Sequence, residues 1–181
     1  MKGPLFYSKI LLFGEYGIIE DSKGLSIPYN FFNGALKIAE KPNLESEKSN
    51  NTLADFCLYL KQLDELDLDL ISFEKHINKG LYFDSSIPKG YGVGSSGALV
   101  AAIYDKYSHN KITVLENLTR EKLLVLKSIF SKMESFFHGK SSGLDPLNSY
   151  LSIPILIKSK DDINVTGIPS QKLDGTGAVF L

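Results

Sequence analysis

The sequence has little cysteine and no basic block, and each shortage excludes a class of protein. A single cysteine, Cys57, in 181 residues cannot form an internal disulfide, which excludes a disulfide-stapled fold and favours a reducing compartment. Twenty basic side chains balance twenty-one acidic ones, and no two basic residues are adjacent. That balance gives no electrostatic reason to bind nucleic acid or an anionic membrane. We therefore expect a cytoplasmic protein without a nucleic-acid partner.

Long apolar runs are also missing. The N-terminal run Ile10-Leu11-Leu12-Phe13 stops at Gly14, far short of the roughly 20 residues that span a bilayer. It is also too short for a secretory signal. What remains is an ordinary globular composition, 43% hydrophobic, in a chain long enough for one well-cored domain. We expect a single domain over residues 1–181 that has no membrane partner.

The most distinctive stretch is Pro88-Lys89-Gly90-Tyr91-Gly92-Val93-Gly94-Ser95-Ser96-Gly97, which leads directly into the apolar, helix-prone residues 98–103. Glycines let a backbone turn tightly and approach a ligand closely, and a helix N-terminus presents unpaired N–H groups with a partial positive charge. The two serine hydroxyls can cap the helix, donate to phosphate oxygens or reach a phosphate-bound Mg²⁺. The stretch predicts an anion-binding loop, with an ordinary helix-capping turn as the alternative.

Other glycine-rich motifs fit this stretch less well. It is not a Walker A loop, because no Gly-Lys-Ser/Thr follows the glycines, and the absence of His-Arg-Asp and Asp-Phe-Gly disfavours a protein-kinase loop. Gly92-x-Gly94-x-x-Gly97 does satisfy the dinucleotide fingerprint as a bare pattern. The buried strand that should come just before it is replaced by Ser85–Lys89. A dinucleotide-binding domain stays open on that match alone.

Hydrophobic spacing predicts strands early and late in the chain, with helices between them. Helical spacing of apolar residues indicates helices over 53–66, 97–107 and 120–138, the last with Thr119 as its N-cap. The polar stretch Glu40–Thr52 is typical of a surface loop or crossover. Short apolar runs predict strands over 2–7, 9–13, 25–28, 35–38, 81–84, 150–153, 155–157, 163–165 and 178–181.

Several charged side chains lie at the ends of these elements, and each has an ordinary interpretation when taken alone. Lys9 and Glu15 bracket an apolar strand and suit solvated strand-end charges. Glu134 lies one turn before His138, as an exposed helix carboxylate with a nearby partner would. Asp145 lies in a tight polar loop and can organise its own turn. Spacing alone favours these ordinary roles.

Three separated segments nevertheless match one pattern in the same order. They are residues 9–16, 88–98 and 134–145, the last ending in Ser142-Gly143-Leu144-Asp145. Together they resemble the GHMP superfamily of small-molecule kinases, and within it most closely the mevalonate kinases. The glycine-serine loop is the superfamily's most specific motif, and a Ser-Gly-x-Asp that ends eleven residues after a helix glutamate favours mevalonate kinase. The resemblance implies an α+β domain of the ribosomal protein S5 domain 2-like type, the N-terminal domain of such a kinase, with its helices packed on one side.

The resemblance also implies a site. Ser96 and Glu134 would hold Mg²⁺, while Asp145 would take the proton from the substrate hydroxyl with Lys9 beside it. Phosphoryl transfer depends mainly on positioning and charge stabilisation, which these residue types supply. The loop residues that would bind the phosphates of ATP are Gly90, Gly92, Gly94, Ser95, Ser96 and Gly97.

On the acceptor side, the resemblance implies that Glu15 and Tyr16 line a pocket for a small-molecule alcohol, most closely mevalonate. Tyr16 stands where mevalonate kinases usually have His, and Pro146 where they commonly have Asn, so phosphomevalonate or a sugar is an alternative acceptor. Two loop departures, Val93 for Leu and Gly97 for Ala, are mild because neither puts a bulky side chain against phosphate. A non-catalytic nucleotide-binding module is the alternative from another class.

The family's second domain, a C-terminal ferredoxin-like one, is not in these 181 residues, and the chain ends inside the apolar stretch Ala178–Leu181. We therefore expect an N-terminal domain with an exposed apolar face where the second domain would pack. A homodimer through that face is a further expectation. We expect no full activity from this piece alone.

Overall fold

The structure, a computed structural model, describes residues 3–13, 23–63, 65–113, 118–159 and 162–166. Within these residues the chain forms one antiparallel sheet of five strands, together with five helices. The strands are β1 (Phe6–Phe13), β2 (Gly24–Ile38), β3 (Leu81–Ser85), β4 (Ile155–Ser159) and β5 (Asp162–Val165). The helices are α1 (Leu44–Leu60), α2 (Leu70–Ile77), α3 (Ser95–Tyr107), α4 (Arg120–His138) and α5 (Leu144–Leu151).

The long strand β2 organises the sheet, because β1, β3 and β4 all pair with it, and β5 then pairs with β4. Gly34 of β2 pairs with Phe6 of β1 and with Ser85 of β3. A Cβ on Gly34 would overlap the ring of Phe83, so only glycine lets that ring lie across β2. Each pairing among the described strands is antiparallel, which excludes the parallel βαβ unit of a dinucleotide-binding domain.

Helix α3 lies at the centre of the core. Its residues from Gly97 to Tyr104 are all buried, as expected for a helix that is apolar on every side. Small residues such as Ala98 and Ala101 let neighbouring elements approach its backbone. The loop that precedes α3 is therefore joined to a helix that is closely packed on all sides.

The structure confirms the α+β fold and the helices predicted over 97–107 and 120–138. Thr119 caps α4 as expected, accepting a hydrogen bond from the N–H of Lys122 at 3.3 Å. The strands predicted over 81–84, 155–157 and 163–165 are present as β3, β4 and β5. The strand predicted over 178–181 lies outside the described residues.

Other expectations were wrong. The polar stretch Glu40–Thr52 contains the first half of α1, which starts at Leu44 behind a capping box formed by Asn43 and Ser46. The predicted helix over 53–66 is only the second half of α1, and α2 was not predicted. The runs 25–28 and 35–38 belong to one strand, β2.

The segment 150–153, predicted to be a strand, instead contains the end of α5. In α5 the buried residues Leu144, Leu147 and Leu151 recur at helical spacing. Pro146 lies in the first turn of this helix, where the missing N–H costs nothing. A short apolar run suits either element, so the sequence did not distinguish them. None of the helices in the described part of the chain combines the length and apolar character needed to cross a membrane.

Candidate active site

The glycine-rich loop turns through left-handed backbone conformations into the start of α3. Gly90, Gly92 and Gly94 have φ values of 84°, 68° and 81°, a region that other residues rarely adopt. Gly94 is the N-cap of α3 and offers no side-chain bond to the first turn. The serine hydroxyls therefore do not cap the helix as the sequence suggested, and the N–H groups of its first turn are left for a ligand.

Part of the loop is open and part is packed against its neighbours. A Cβ built on Gly90 or Gly92 would meet no atom of the described residues within 4 Å, so this side of the loop is open with respect to them. A Cβ on Gly94 would lie 3.1 Å from Cγ of Lys9. The backbone N–H of Lys9 also donates to the carbonyl of Val93 at 3.0 Å. The loop is thus fixed to the strand that carries Lys9.

Lys9 of β1 and Asp145 of α5 form an ion pair in which Nζ lies 3.0 Å from Oδ1. The Lys9 side chain is 12% exposed and that of Asp145 is 34% exposed. The other carboxylate oxygen, Oδ2, lies 3.7 Å from the position of a Cβ on Gly94, so it faces the start of α3. Asp145 also lies in the first turn of α5, where the helix dipole favours a negative charge.

Gly97 explains why α5 comes so close to the loop. A Cβ at this position would lie 2.7 Å from the carbonyl carbon of Asp145 and 2.8 Å from the nitrogen of Pro146. Only glycine allows the backbones of α3 and α5 to cross at this distance. Gly97 therefore lets Asp145 lie at the N-terminus of α3.

A second acidic group, Glu134, lies on the other side of the same helix end. The Ser96 hydroxyl donates to its Oε1 at 3.1 Å, and the Ser141 hydroxyl donates to its Oε2. Nε2 of His138 lies 2.9 Å from the same Ser96 oxygen. Glu134 is only 3% exposed, so its interpretation as an exposed carboxylate was wrong. His138 is connected to Glu134 through the Ser96 hydroxyl, which contacts both side chains.

Burial raises the pKa of the Glu134 carboxyl to about 7. The negative charge of Asp145 adds to the rise, and the hydroxyls of Ser141 and Ser96 and the charge of Lys9 oppose it. The carboxylate would therefore be stabilised by a cation placed next to it.

The turn between α4 and α5 holds Ser141 against Glu134. The Ser131 hydroxyl donates to the Ser141 carbonyl at 2.6 Å, and the N–H of Gly143 donates to the Ser141 hydroxyl at 3.0 Å. Gly143 has φ 74°, and a Cβ there would overlap the Lys127 carbonyl oxygen. The glycine of the Ser-Gly-x-Asp motif is thus explained by a turn packed onto the backbone of α4.

The structure brings together most of the residues that the sequence singled out. Glu15 and Tyr16, expected to line the acceptor pocket, lie outside the described residues. Ser141 was missed as a partner of Glu134, and no sequence signal pointed to it. The spacing of His138 from Glu134 was a signal, although the contact runs through Ser96. The predicted residues that converge at the N-terminus of α3 are Lys9, Gly94, Ser96, Gly97, Glu134 and Asp145.

The donor set at Ser96 and Glu134 fits Mg²⁺. A carboxylate and a hydroxyl are the hard oxygen ligands that this ion prefers, and it usually takes one or two carboxylates and completes its shell with water and substrate phosphates. Among the described residues, no group of three or more His, Cys, Asp and Glu side chains could form a metal cage by itself. Ser96 and Glu134 therefore fit a Mg²⁺ ion that is bound by the protein and by a phosphate at the same time.

Comparisons with known proteins agree with this geometry. Residues 52–152 match the family of GHMP kinases N terminal domains. No curated protein matches the chain in sequence. The mevalonate kinase of Methanococcus jannaschii has a similar structure, with a TM-score of 0.52, 17% identity, and 94% of this chain and 56% of that chain covered. A second mevalonate kinase structure has a TM-score of 0.51 and 18% identity, with 92% and 55% covered.

At these identities the structural likeness shows the fold, and the chain spans a little over half the length of both solved relatives. The sequence match covers more than half of the chain and contains the glycine-rich loop and both acidic residues, Glu134 and Asp145. The chain therefore belongs to the GHMP kinase family and has the fold of that family's N-terminal domain.

Proposed function

We propose that the protein is the N-terminal, nucleotide-binding part of an ATP-dependent kinase that transfers the γ-phosphoryl group to an alcohol, and that the alcohol is mevalonate. The observation that carries the proposal is that two polar pairs meet at one helix end. Lys9 with Asp145, and Ser96 with Glu134, both lie at the glycine-rich N-terminus of α3. Family membership supports the reaction, and the fold shared with mevalonate kinases favours the acceptor.

The loop and the start of α3 would bind the phosphates. The open side of Gly90 and Gly92 leaves room for a ligand to approach the backbone. The uncapped N–H groups of the first helical turn, which include Ser95, Ser96 and Gly97, would donate to phosphate oxygens. This arrangement needs no lysine within the loop, which agrees with the absence of a Walker A sequence.

Ser96 and Glu134 would hold the Mg²⁺ of the Mg·ATP complex. When bound there, the ion would neutralise charge on the phosphate oxygens as phosphoryl transfer proceeds. Ser141 orients the Glu134 carboxylate by its hydrogen bond to Oε2. Because the pKa of Glu134 is raised to about 7, a nearby cation would favour its ionised form at neutral pH.

Asp145 would accept the proton of the acceptor hydroxyl at Oδ2, the oxygen that Lys9 does not hold. Lys9 orients the carboxylate through Oδ1, 3.0 Å from Nζ. The lysine charge would also lower the pKa of a nearby substrate hydroxyl and offset the charge that develops on the phosphoryl group. Such a site works by positioning and electrostatics.

The proposal includes a small-molecule alcohol as the partner and a cytoplasmic location. Other GHMP kinases, acting on phosphomevalonate or on a sugar, are the nearest alternatives. A non-catalytic nucleotide-binding module is a more distant one. That alternative predicts that Asp145→Asn leaves ATP binding unchanged. It also predicts that no acceptor is phosphorylated.

The test is Mg·ATP-dependent phosphorylation by the protein at its natural length, with mevalonate, phosphomevalonate, homoserine and sugars as acceptors. Turnover of mevalonate that is lost in Asp145→Asn would support the proposal. Turnover of a different alcohol would correct the acceptor and keep the reaction. If the folded protein bound ATP but phosphorylated none of these alcohols, the kinase proposal would fail.

A further inference from the structure

Two buried polar side chains join α5 to the sheet. The Ser149 hydroxyl, in a residue that is 2% exposed, donates to the carbonyl of Tyr7 in β1 at 2.7 Å. Asn148, which is fully buried, donates from Nδ2 to the carbonyls of Ser26 in β2 and of Ile153, both at 3.2 Å. The helix that carries Asp145 is thus hydrogen-bonded to two strands, in addition to its apolar packing.

These hydrogen bonds contribute more to the position of α5 on the sheet than to the free energy of unfolding. A buried hydrogen bond contributes only about 1 kcal/mol net, since its groups were already bonded to water in the unfolded chain. Among the described residues, Oδ1 of Asn148 and Oγ of Ser26 find no hydrogen-bond partner, which reduces the gain further. Hydrogen bonds are directional, however, and bonds to fixed strand carbonyls specify one register of the helix on the sheet.

The Ser149–Tyr7 bond and the Asp145–Lys9 pair are two contacts between the same helix and the same strand. Asp145 and Ser149 are one helical turn apart, about 6 Å along the axis. Lys9 and Tyr7 are two strand residues apart, about 6.7 Å. These spacings agree to within about 1 Å, so both contacts form together when α5 runs antiparallel to β1.

A change in register would break both contacts. Moving α5 by one residue shifts each side chain by about 1.5 Å along the axis and about 100° around it. The Asp145 carboxylate would then leave Nζ of Lys9. Ser149 is buried and its hydroxyl is bonded to the Tyr7 carbonyl, so we expect it to act on that carboxylate by fixing the helix.

We propose that Ser149 is a positioning residue: its bond to the Tyr7 carbonyl sets the register of α5 on β1 and so holds Asp145 against Lys9 in the geometry that phosphoryl transfer requires. The inference rests on the proposed function for its effect on catalysis. Its effect on the Lys9–Asp145 pair can be measured without any turnover.

The test compares Ser149→Ala with a matched control, Tyr59→Phe, in the protein at its natural length. Tyr59 of α1 donates its hydroxyl to the Lys132 carbonyl of α4 at 2.8 Å, so the control also removes one hydroxyl bond to a backbone carbonyl between two elements. Neither Tyr59 nor Lys132 belongs to the site. The two variants should lose similar stability, measured as a similar fall in Tm.

The first readout separates kcat from KM. We expect Ser149→Ala to lower kcat about 10- to 100-fold, since a displacement of about 1 Å in a catalytic group has effects of this size. The KM for ATP should stay within about twofold, because the loop does not depend on Ser149. Tyr59→Phe should leave both constants within about twofold of wild type. Ser149→Thr, which keeps the hydroxyl, should retain more of kcat than Ser149→Ala.

The second readout is the rate at which an amine-reactive ester acylates Lys9, followed by mass spectrometry. Burial and the ion pair protect Lys9 in the wild type, and we expect acylation several-fold faster in Ser149→Ala but not in Tyr59→Phe. If either the acylation rate or kcat of Ser149→Ala stays at the level of the control, the inference is overturned.

The two readouts also distinguish the two proposals. If the wild type phosphorylates no alcohol, the proposed function fails, and the acylation rate alone decides whether Ser149 holds the pair. Should Ser149→Ala not fold, Ser149→Cys replaces it under the same criteria, because a thiol is a weak donor of similar size.

Discussion

The two carboxylates at the N-terminus of α3 differ in their surroundings. Glu134 is 3% exposed, lies between the hydroxyls of Ser96 and Ser141, and has a pKa raised to about 7 by burial. The Asp145 side chain is 34% exposed and is paired with Lys9. A buried carboxylate with hydroxyl neighbours suits a cation, whereas an accessible one with a fixed orientation suits proton transfer from a substrate. The same functional group, a carboxylate, would thus serve two tasks because its surroundings differ.

Glycines create both environments. Gly97 lets the backbone of α5 cross α3 directly beneath Asp145, and Gly143 lets the turn that carries Ser141 pack onto the backbone of α4. Side chains at these two positions would separate the acidic groups from the helix end that lies between them. The proposed division of roles therefore depends on close backbone approach as much as on the acidic residues.

The largest effect is expected from Asp145→Asn, which removes the proton acceptor and keeps the shape of the side chain. We expect kcat to fall about 10³-fold, within the range that general bases contribute. Steady-state kinetics with saturating Mg·ATP would measure it. Asp84→Asn is the control, because Asp84 forms a half-exposed ion pair with Lys37 away from the site. A kcat within tenfold of wild type would show that Asp145 does not serve as the base.

A smaller loss is expected from Gly97→Ala, which disturbs the position of Asp145 without changing its chemistry. The new Cβ would lie 2.7 Å from the Asp145 carbonyl carbon, so α5 must move away from α3. We expect a destabilisation of about 1–3 kcal/mol, typical of overpacking, together with a lower kcat. Urea denaturation and steady-state kinetics would measure the two effects.

Gly3→Ala is the control for that change, since within the described part of the chain its Cβ would meet only the Leu36 carbonyl oxygen, at 4.0 Å. Gly97→Ala with wild-type stability and kcat would contradict the close crossing of α3 and α5.

Glu134 should make the stability of the ligand-free protein depend on pH. Its pKa is about 7 when folded, against 4.5 ordinarily, so between these values the folded state binds more protons than the unfolded state. The stabilisation is complete below pH 4.5 and is lost as the pH rises through about 7. Its size is about 3 kcal/mol at most.

Urea denaturation at pH 5 and pH 8 without Mg²⁺ would measure this loss in the wild type. In Glu134→Gln, which carries no titrating group at this position, the difference between the two pH values should be smaller. A pH dependence equal to that of the wild type would contradict the burial of an ionisable Glu134.

The sequence predicted the parts of this account that depend on local pattern. The glycine-serine loop, the helix after it and the helix from Arg120 to His138 follow from turn chemistry and 3.6-residue spacing. The roles proposed for Glu134 and Asp145 came from the resemblance to a family, because spacing alone favoured ordinary roles for both.

What the sequence could not predict depends on contacts between distant segments. The burial of Glu134 requires the turn with Ser141 to fold back over α4. The ion pair between Asp145 and Lys9 joins segments that are far apart in the sequence. The spacing of apolar residues within a segment does not predict such a contact. The end of α5 was mistaken for a strand for a related reason, since tertiary packing decides the state of a short apolar run.

The most direct test of the division between the two carboxylates is calorimetric titration of Mg·ATP into Glu134→Gln and into Asp145→Asn. The account predicts that Glu134→Gln weakens Mg·ATP binding about tenfold or more, as loss of a metal ligand would, while Asp145→Asn leaves the Kd within about threefold of wild type. Equal weakening in both variants, or weakening only in Asp145→Asn, would contradict it.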